Sequence, residues 1–215
     1  MKTGTDGVLL GAWVNVPTAK AILDIGTGSG LIALMLAQRS HPSTHIEAVE
    51  IGTDDAQQAK ENIAASPWPD KIRIHQSRIQ DFYGNQLFDL IVSNPPFFNN
   101  SLPPPSGKRK AARHTKSLSY AELLDAAARL IANGGIFALI LPVKEGLSFI
   151  SIAQFRGFYL QRQCAVYTRE GKPQERWLLE FSRIPGQVIM ERLFLFSDAK
   201  ERSEEYKKLI KEFYL

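Results

Sequence analysis

Short apolar runs alternate along the chain with longer segments in which apolar and polar residues recur at helical spacing. The apolar runs are rich in β-branched and aromatic residues, a composition that predicts buried strands. They occupy residues 21–25, 46–50, 71–76, 88–93 and 136–141. Helical patterns lie between them at residues 31–38, 53–65, 119–132 and 146–155. This alternation predicts an α/β fold with a largely parallel sheet.

The last third of the chain departs from the alternation. Residues 159–168 and 176–183 predict a terminal pair of antiparallel strands with a turn at Lys172-Pro173, and residues 203–213 predict a surface helix. Residues 1–13 predict a short N-terminal helix. We therefore predict a doubly wound sheet of about seven strands, mostly parallel, with helices on both faces. With neither a repeat nor a second domain visible, residues 1–215 are assigned to a single domain.

Polar residues mark where several of these helices begin and end. Thr53 is predicted as an N-cap, and the two aspartates after it lie in the first turn, where carboxylates favour the helix dipole. Ser119 with Glu122 three residues later is a capping-box signature. The run Asn133-Gly134-Gly135 predicts the end of the helix that starts there.

Composition excludes several classes of protein. The 215 residues are 44% hydrophobic and 22% charged, which is ordinary for a globular chain and argues against disorder. No run approaches the roughly 20 apolar residues of a membrane span, and no signal-peptide pattern is present, so we predict a cytoplasmic protein. The single cysteine, Cys164, excludes an internal disulfide and a cysteine-based zinc cluster, and we predict no metal site.

Charge is concentrated in one stretch. The net charge is only +4, but no acidic residue occurs between Asp89 and Glu122. Within residues 98–117 the chain is rich in proline, asparagine, serine and basic residues, and it is too long and polar to be a simple connection. Its basic side chains are Lys108, Arg109, Lys110, Arg113 and Lys116. We predict a loop that contacts a polyanion, although a solvated surface is the simpler reading of such a run.

A glycine-rich turn follows the first strand. The strand ends at Asp24-Ile25, and Gly26, Gly28 and Gly30 lead directly into a helix. Bare backbone at such a turn lets a ligand lie against it. A carboxylate before the turn opposes a pyrophosphate and suits a ligand with positive charge and hydroxyls. Glu50 lies 20 residues beyond the last glycine, where an acid can bind both ribose hydroxyls. S-adenosylmethionine satisfies both requirements.

The fourth strand ends in Asn94-Pro95-Pro96-Phe97. Proline fixes φ, and the residue before a proline is pushed into extended conformation, so this exit from the strand is stiff. The Asn94 side-chain oxygen and the Pro95 carbonyl then form an acceptor pair with the aromatic ring of Phe97 beside it. Such a group suits a planar ligand that carries an NH2, which donates both hydrogens while its ring is stacked.

These motifs together resemble known methyltransferases. Residues 24–30, Glu50 and Asn94-Pro95-Pro96-Phe97 resemble the class I S-adenosylmethionine-dependent methyltransferases that modify amino groups, which have a Rossmann-like fold. A closer resemblance, to the bacterial tRNA(Val) adenine-N6-methyltransferase family, rests on residues 1–7, 93–98, Arg113-His114 and 211–215. That family methylates the adenine 3′ of the anticodon. Its members usually carry a segment before the motif at residues 2–4.

The resemblance implies roles for individual residues. Residues 1–20 would cover the methionine part of the cofactor, and the turn after the third strand would lie against its adenine. Many relatives carry aspartate where this chain has Arg78, so backbone contact is expected there. The implied cofactor-binding set comprises Thr5, Asp6, Asp24, Gly26, Gly28, Gly30, Glu50, Ile51, Arg78, Ile79, Asp81 and Asn94. The implied catalytic set is Asn94, Pro95, Pro96 and Phe97. The implied RNA contacts are Phe97, Phe98, Lys108, Arg109, Lys110, Arg113, His114 and Lys116.

The resemblance favours transfer of a methyl group from S-adenosylmethionine to an adenine N6 of tRNA, with S-adenosylhomocysteine as product, by a chain that needs no oligomer. Methylation of guanine N2 in ribosomal RNA or of glutamine in a protein uses related motifs, but those enzymes usually carry a second domain. A non-catalytic RNA-binding module is a third reading, against which Asp24, Glu50 and Asn94 argue. A nicotinamide oxidoreductase is disfavoured because Asp24 precedes the glycines.

Overall fold

A computed structural model describes residues 4–16, 18–96 and 118–213. The described helices are α1 (Thr5–Trp13), α2 (Leu31–Arg39), α3 (Thr53–Ala64), α4 (Tyr120–Leu130), α5 (Val143–Phe155) and α6 (Glu204–Ile210). The described strands are β1 (Ala21–Ile25), β2 (His45–Glu50), β3 (Ile72–Gln76), β4 (Phe88–Ser93), β5 (Ile131–Pro142), β6 (Tyr159–Tyr167), β7 (Gln174–Ser182) and β8 (Ile189–Phe194). A short 3-10 turn, Ile79–Asp81, follows β3.

The described strands form one sheet in the order β3-β2-β1-β4-β5-β7-β6-β8. Strands β1 to β5 are parallel, and β7 runs antiparallel to both of its neighbours. β1 pairs with β2 on one side and with β4 on the other, so the strand order changes direction at β1. In open parallel sheets a ligand crevice forms at such a point, beyond the carboxyl ends of the strands.

The hydrophobic core has one layer on each face of the sheet. Because side chains alternate along a strand, Ile22 of β1 packs in the layer covered by α1 and α2, whereas Leu23 and Ile25 pack in the other. The second layer lies under α4 and α5 and is centred on Phe149, whose ring contacts that of Phe137 at a centroid distance of 6.1 Å. The predicted doubly wound α/β architecture, with helices on both faces, is thus confirmed.

Two local predictions were wrong. Thr53 is the first residue of α3 rather than its N-cap, which is Gly52, and the Thr53 hydroxyl instead accepts a hydrogen bond of 2.8 Å from Gln76. The helix predicted to stop at residues 133–135 ends at Leu130, because Ile131 is buried and already pairs with Phe88 in the sheet. Gly134, with φ of 75°, therefore lies inside β5.

The prediction of about seven strands missed β8 at the edge of the sheet. β8 pairs in parallel only with β6 among the described strands, and its first residues, Ile189 and Met190, are 58% and 75% exposed. Leu193 alone among the β8 residues is buried, so this strand lacks the continuous apolar run by which buried strands are recognised. The capping box of α4 is confirmed, since the Ser119 hydroxyl accepts from the Glu122 amide and the Glu122 carboxylate accepts from the Ser119 amide.

None of the described helices has the combination of length and apolar composition that crossing a bilayer requires.

Candidate active site

A cleft of about 460 Å³ opens beyond the carboxyl ends of β1, β2 and β4. Each strand contributes the residues at which it ends, and α1 and the turn after β3 close the sides. The lining residues are Gly4, Asp6, Ile25, Gly26, Gly28, Val49, Glu50, Ile51, Asp55, Ser77, Arg78, Ile79, Gln80, Ser93, Asn94, Pro95, Pro96 and Leu118. The volume lies in the range of small-molecule and cofactor sites, and the cleft is at the position that the strand order predicts.

The glycine turn presents bare backbone to the cleft at Gly26. Its φ of 72° is left-handed, and a Cβ built on it would meet nothing within 4 Å, so a side chain there would project into open space. Gly30 has a different role. It is the left-handed N-cap of α2, and a Cβ there would lie 3.4 Å from the Ala59 side chain of α3. Gly28 lines the cleft, and Gly30 does not.

Glu50 holds the glycine turn and lies in the wall of the cleft. Its side chain is 8% exposed, and one carboxylate oxygen accepts a hydrogen bond of 2.9 Å from the Gly28 amide. The other oxygen accepts from the Gly52 amide at 2.8 Å. Each carboxylate oxygen has a second lone pair, so the same group can accept hydrogen bonds from two hydroxyls of a ligand.

Asp24 lies beneath the glycine turn and is 0% exposed. Its Oδ2 accepts a hydrogen bond of 2.6 Å from the Thr27 hydroxyl, whereas Oδ1 has no hydrogen-bond partner among the described residues. Burial, with a smaller contribution from the Glu50 carboxylate, raises the pKa of this carboxyl from 3.8 to about 7, although hydrogen bonds from Thr27 and the Ala33 backbone oppose the shift. Asp24 does not line the cleft, so its contact with a ligand stays a prediction.

The end of β4 lies against β1 and α1. Ser93 donates a hydrogen bond of 2.9 Å to the carbonyl of Ile25, which joins the ends of the two strands. Asn94 is half-buried and Pro95 is buried, and both line the cleft. A Cβ on Gly7 of α1 would lie 3.9 Å from the Asn94 amide nitrogen, so α1 packs close to this side chain. Contacts with β1 and with α1 therefore hold the strand end where Asn94 lines the cleft.

The first turn of α1 contributes Asp6 to the cleft. Its carboxylate pairs with Arg176 at the start of β7, with an Nε–Oδ2 distance of 3.0 Å. Thr5 is exposed and does not line the cleft. The other end of α1 is held firmly, because Arg39 donates to the carbonyls of Gly11 and Val14 at 2.7 and 2.8 Å.

A buried ion network secures α1 to the antiparallel strands. Arg162 of β6 binds both carboxylate oxygens of Glu180 at 2.7 and 2.9 Å, and donates to the Trp13 carbonyl at 3.1 Å. Its guanidinium lies 3.9 Å from the centre of the Trp13 ring. The indole N–H of Trp13 donates to Glu191 at 2.7 Å. The sequence pattern did not reveal this network, because its members lie on four separate elements, one helix and three strands.

The remaining predicted residues divide between the cleft, a neighbouring groove and the undescribed part of the chain. Ile51, Arg78 and Ile79 line the cleft, as does Gln80, which the sequence reasoning missed although it adjoins them. Asp81 lies outside the cleft, in a groove on the other side of the turn. The predicted residues outside the described ranges are Phe97, Phe98, Lys108, Arg109, Lys110, Arg113, His114 and Lys116.

The cleft combines features that fit a nucleoside-containing ligand. Apolar side chains of Ile25, Val49 and Ile79 offer a wall for a flat ring, and the carboxylate of Glu50 offers acceptors for sugar hydroxyls. Gly26 provides the bare backbone that a closely bound ligand needs. Across the described residues, no group of three or more histidine, cysteine, aspartate and glutamate side chains is arranged to hold a metal ion.

Comparison with known proteins identifies the family. Residues 4–159, well over half of the chain, match the methyltransferase small domain family. The tRNA1(Val) (adenine(37)-N6)-methyltransferase of Tolumonas auensis is 46% identical over all of this chain and 90% of its own length. The enzyme of the same name from Pseudoalteromonas translucida is also 46% identical, over 92% of its length.

Among solved structures, a predicted O-methyltransferase from Agrobacterium tumefaciens superposes with a TM-score of 0.73 over 96% of both chains. Its sequence identity is 16%, so it supports the Rossmann-like fold alone. The full-length similarity at 46% identity is far more specific than the fold. The chain therefore belongs to the methyltransferase small domain family and, within it, to the family of the tRNA1(Val) (adenine(37)-N6)-methyltransferases.

Proposed function

We propose that this chain transfers a methyl group from S-adenosylmethionine to the N6 amine of an adenine in tRNA, the adenine at position 37 of a valine tRNA. The relatives bear this activity in their names. The observation that carries the proposal is that Asn94 and Pro95 line the same cleft as Glu50. This juxtaposes a candidate amine-binding group with a candidate nucleoside site.

The cleft residues suit the proposed cofactor. The Glu50 carboxylate would accept hydrogen bonds from the two ribose hydroxyls, while Ile51 and Ile79 would contact the adenine ring. Gly26 would allow the methionine part to lie against backbone, and Asp6 would face it from α1. Arg78 lines the cleft where many methyltransferases carry aspartate, so its backbone rather than its side chain would contact the adenine.

S-adenosylmethionine, when bound, supplies a methyl group on a positively charged sulfur that is a good leaving group. The chain's contribution is then chiefly to position the acceptor amine. Asn94 Oδ1 and the Pro95 carbonyl would accept hydrogen bonds from the two amine hydrogens. These hydrogen bonds would reduce the delocalisation of the nitrogen lone pair into the ring. They would also stabilise the positive charge that develops on the nitrogen. No strong base is required, because the nitrogen becomes acidic once it is methylated.

Recognition of the RNA is proposed to come from the segment that follows Asn94. Phe97 would stack on the target base, which is worth roughly 1–3 kcal/mol per base in comparable sites. Phe98, His114 and the basic residues Lys108, Arg109, Lys110, Arg113 and Lys116 would contact the anticodon loop, the lysines and arginines through phosphates. Binding that depends on phosphate contacts weakens steeply with salt. We further propose a cytoplasmic monomer, because its substrate is tRNA and one chain supplies every cleft residue named here.

The decisive experiment is methyl transfer from labelled S-adenosylmethionine to total tRNA from a strain that lacks this gene, followed by nucleoside analysis. N6-methyladenosine in a valine tRNA supports the proposal. Asn94→Ala should lose at least a hundredfold in turnover while it retains binding of cofactor and tRNA. Asn133→Ala is the matched control, since Asn133 is exposed near the start of β5 and outside the cleft.

Three outcomes would contradict the proposal. Label in ribosomal RNA or in a protein, with none in tRNA, would move the chain to a different substrate class. Undiminished turnover by Asn94→Ala would contradict the proposed role of the strand end. Binding of tRNA without methyl transfer to any macromolecule would favour an RNA-binding module.

A further inference from the structure

The turn at residues 78–82 forms one side of the cleft but has few hydrogen bonds of its own. The Asp81 amide donates to the Arg78 carbonyl at 3.1 Å, and the Phe82 amide donates to the Ile79 carbonyl at 3.3 Å. A single 3-10 turn is intrinsically weak. Burial of Ile79 anchors its centre, but the backbone on either side depends on other parts of the fold.

Arg129, in the last turn of α4, supplies much of that support. One guanidinium nitrogen donates to the Phe82 carbonyl at 2.6 Å. Another donates to the Ile79 carbonyl at 3.0 Å and to the Gln80 carbonyl at 3.4 Å. The guanidinium also lies 4.7 Å from the centre of the Tyr83 ring. A planar, multi-donor group can hold several carbonyls in a fixed arrangement, which a single ammonium group cannot do as well.

A second attachment joins the same turn to the beginning of α4. Gln80 donates a side-chain hydrogen bond of 3.3 Å to Glu122, whose other carboxylate oxygen accepts from the Ser119 hydroxyl and amide. The hydrogen bonds from Ser119 lower the pKa of Glu122 and so favour its ionised form. Glu122 and Arg129 are seven residues apart and thus lie on one face of the helix. Both residues on this face therefore contact the turn at residues 78–82.

We infer that Arg129 is a positioning residue for the cofactor side of the cleft. Its guanidinium fixes the backbone of residues 78–82, so that Arg78, Ile79 and Gln80 form a wall before the ligand arrives. Arg129 itself is not among the residues that line the cleft. It acts through the turn, and it sets the affinity for S-adenosylmethionine rather than the rate of methyl transfer. This inference rests on the proposed function, which identifies the ligand of the cleft.

Removal of the Arg129 guanidinium should weaken the binding of S-adenosylmethionine. Without it, the turn must be ordered when the ligand binds, and that cost is subtracted from the binding free energy. Arg129→Ala should raise the Kd for S-adenosylmethionine about tenfold, a change equivalent to losing one or two net hydrogen bonds. At saturating cofactor, kcat and the KM for tRNA should stay within about twofold of wild type, because Asn94 and Pro95 lie on a different strand end.

Two variants and one independent measurement make the test specific. Arg129→Lys keeps a donor but loses the planar fork, so its Kd should lie between those of the wild type and Arg129→Ala. Arg156→Ala is the matched control, because Arg156 pairs with Asp125 on the neighbouring surface at 3.0 Å and does not contact the turn. Hydrogen exchange of a peptide that covers residues 77–84 should be faster in cofactor-free Arg129→Ala than in the wild type.

Calorimetric titration of S-adenosylmethionine separates the outcomes. Tenfold weaker binding by Arg129→Ala, with unchanged kcat and unchanged binding by Arg156→Ala, supports the positioning role. A lower melting temperature with an unchanged Kd would overturn it, since Arg129 would then be purely structural. Equal loss of kcat and affinity would overturn it as well. A wild-type chain that binds no S-adenosylmethionine would overturn the proposed function together with this inference.

Discussion

Replacement of Asp24 by asparagine should stabilise the cofactor-free protein at pH 8. Asp24 is 0% exposed, and one of its two carboxylate oxygens has no hydrogen-bond partner among the described residues. An ionised carboxylate in that position lacks the solvation that it has in the unfolded chain. Asparagine has almost the same shape, and it can keep a hydrogen bond with Thr27 without carrying charge. The substitution therefore removes an electrostatic cost while it preserves packing.

The size of the effect follows from the shift in the pKa of Asp24. Burial raises this pKa from 3.8 to about 7. Between those two values the folded chain keeps a proton that the unfolded chain has released, so stability falls as pH rises. The difference between these two pKa values corresponds to about 4 kcal/mol of lost stability, and the whole of this loss is present at pH 8. About 3 kcal/mol of it develops between pH 5 and pH 8.

Urea unfolding of the wild type and Asp24→Asn, without cofactor, measures this difference at several pH values. The stability advantage of the variant should grow by about 3 kcal/mol from pH 5 to pH 8 and level off above pH 8. Asp125→Asn is the control, because the Asp125 side chain is 65% exposed and need not leave water on folding. A difference that stays constant over this range would refute the reasoning that burial keeps Asp24 protonated.

Other substitutions test the cleft and its supports. Arg162→Ala leaves the carboxylate of Glu180 buried without its bidentate partner and should lower the free energy of unfolding by about 3–5 kcal/mol in urea unfolding. The control is Arg156→Ala, which breaks a more exposed ion pair. Gly26→Ala should cost about 1–2 kcal/mol for its left-handed φ of 72° and should abolish detectable S-adenosylmethionine binding in calorimetry, because the new methyl group enters the cleft. Ser119→Ala should lower the melting temperature in calorimetric scans through loss of about 1 kcal/mol of N-cap stabilisation.

Sequence and structure agree best where the signal is local. The capping box of α4 was predictable because its residues satisfy each other within one turn of helix. The predicted end of the same helix was wrong, although glycine is a common helix terminator. There, pairing of Ile131 with Phe88 of a neighbouring strand ended the helix earlier. Local propensity was overridden by a contact between residues 43 positions apart in the sequence.

Within the candidate site, the residue types were predictable and their environments were not. Glu50 and Asn94 were identified by their positions after strands, and the parallel register of β1, β2 and β4 brings both to one cleft. Asp24 is buried, and Asp81 lies in a neighbouring groove. Both outcomes depend on the side of the adjacent turn to which the carboxylate points. That direction is set by packing in three dimensions.

The sequence by itself determined the order of strands and helices, the glycine turn and the exit of β4 at two prolines, because these depend on periodicity and on backbone restrictions of neighbouring residues. Only the tertiary structure decided that β8 completes the sheet, that Arg129 holds the turn at residues 78–82 and that Trp13 meets Glu191. The contact of Arg129 with Ile79 and that of Trp13 with Glu191 join residues 50 and 178 positions apart. Which residues meet over such distances depends on how whole helices and strands pack, and the pattern of neighbouring residues in the sequence does not show this.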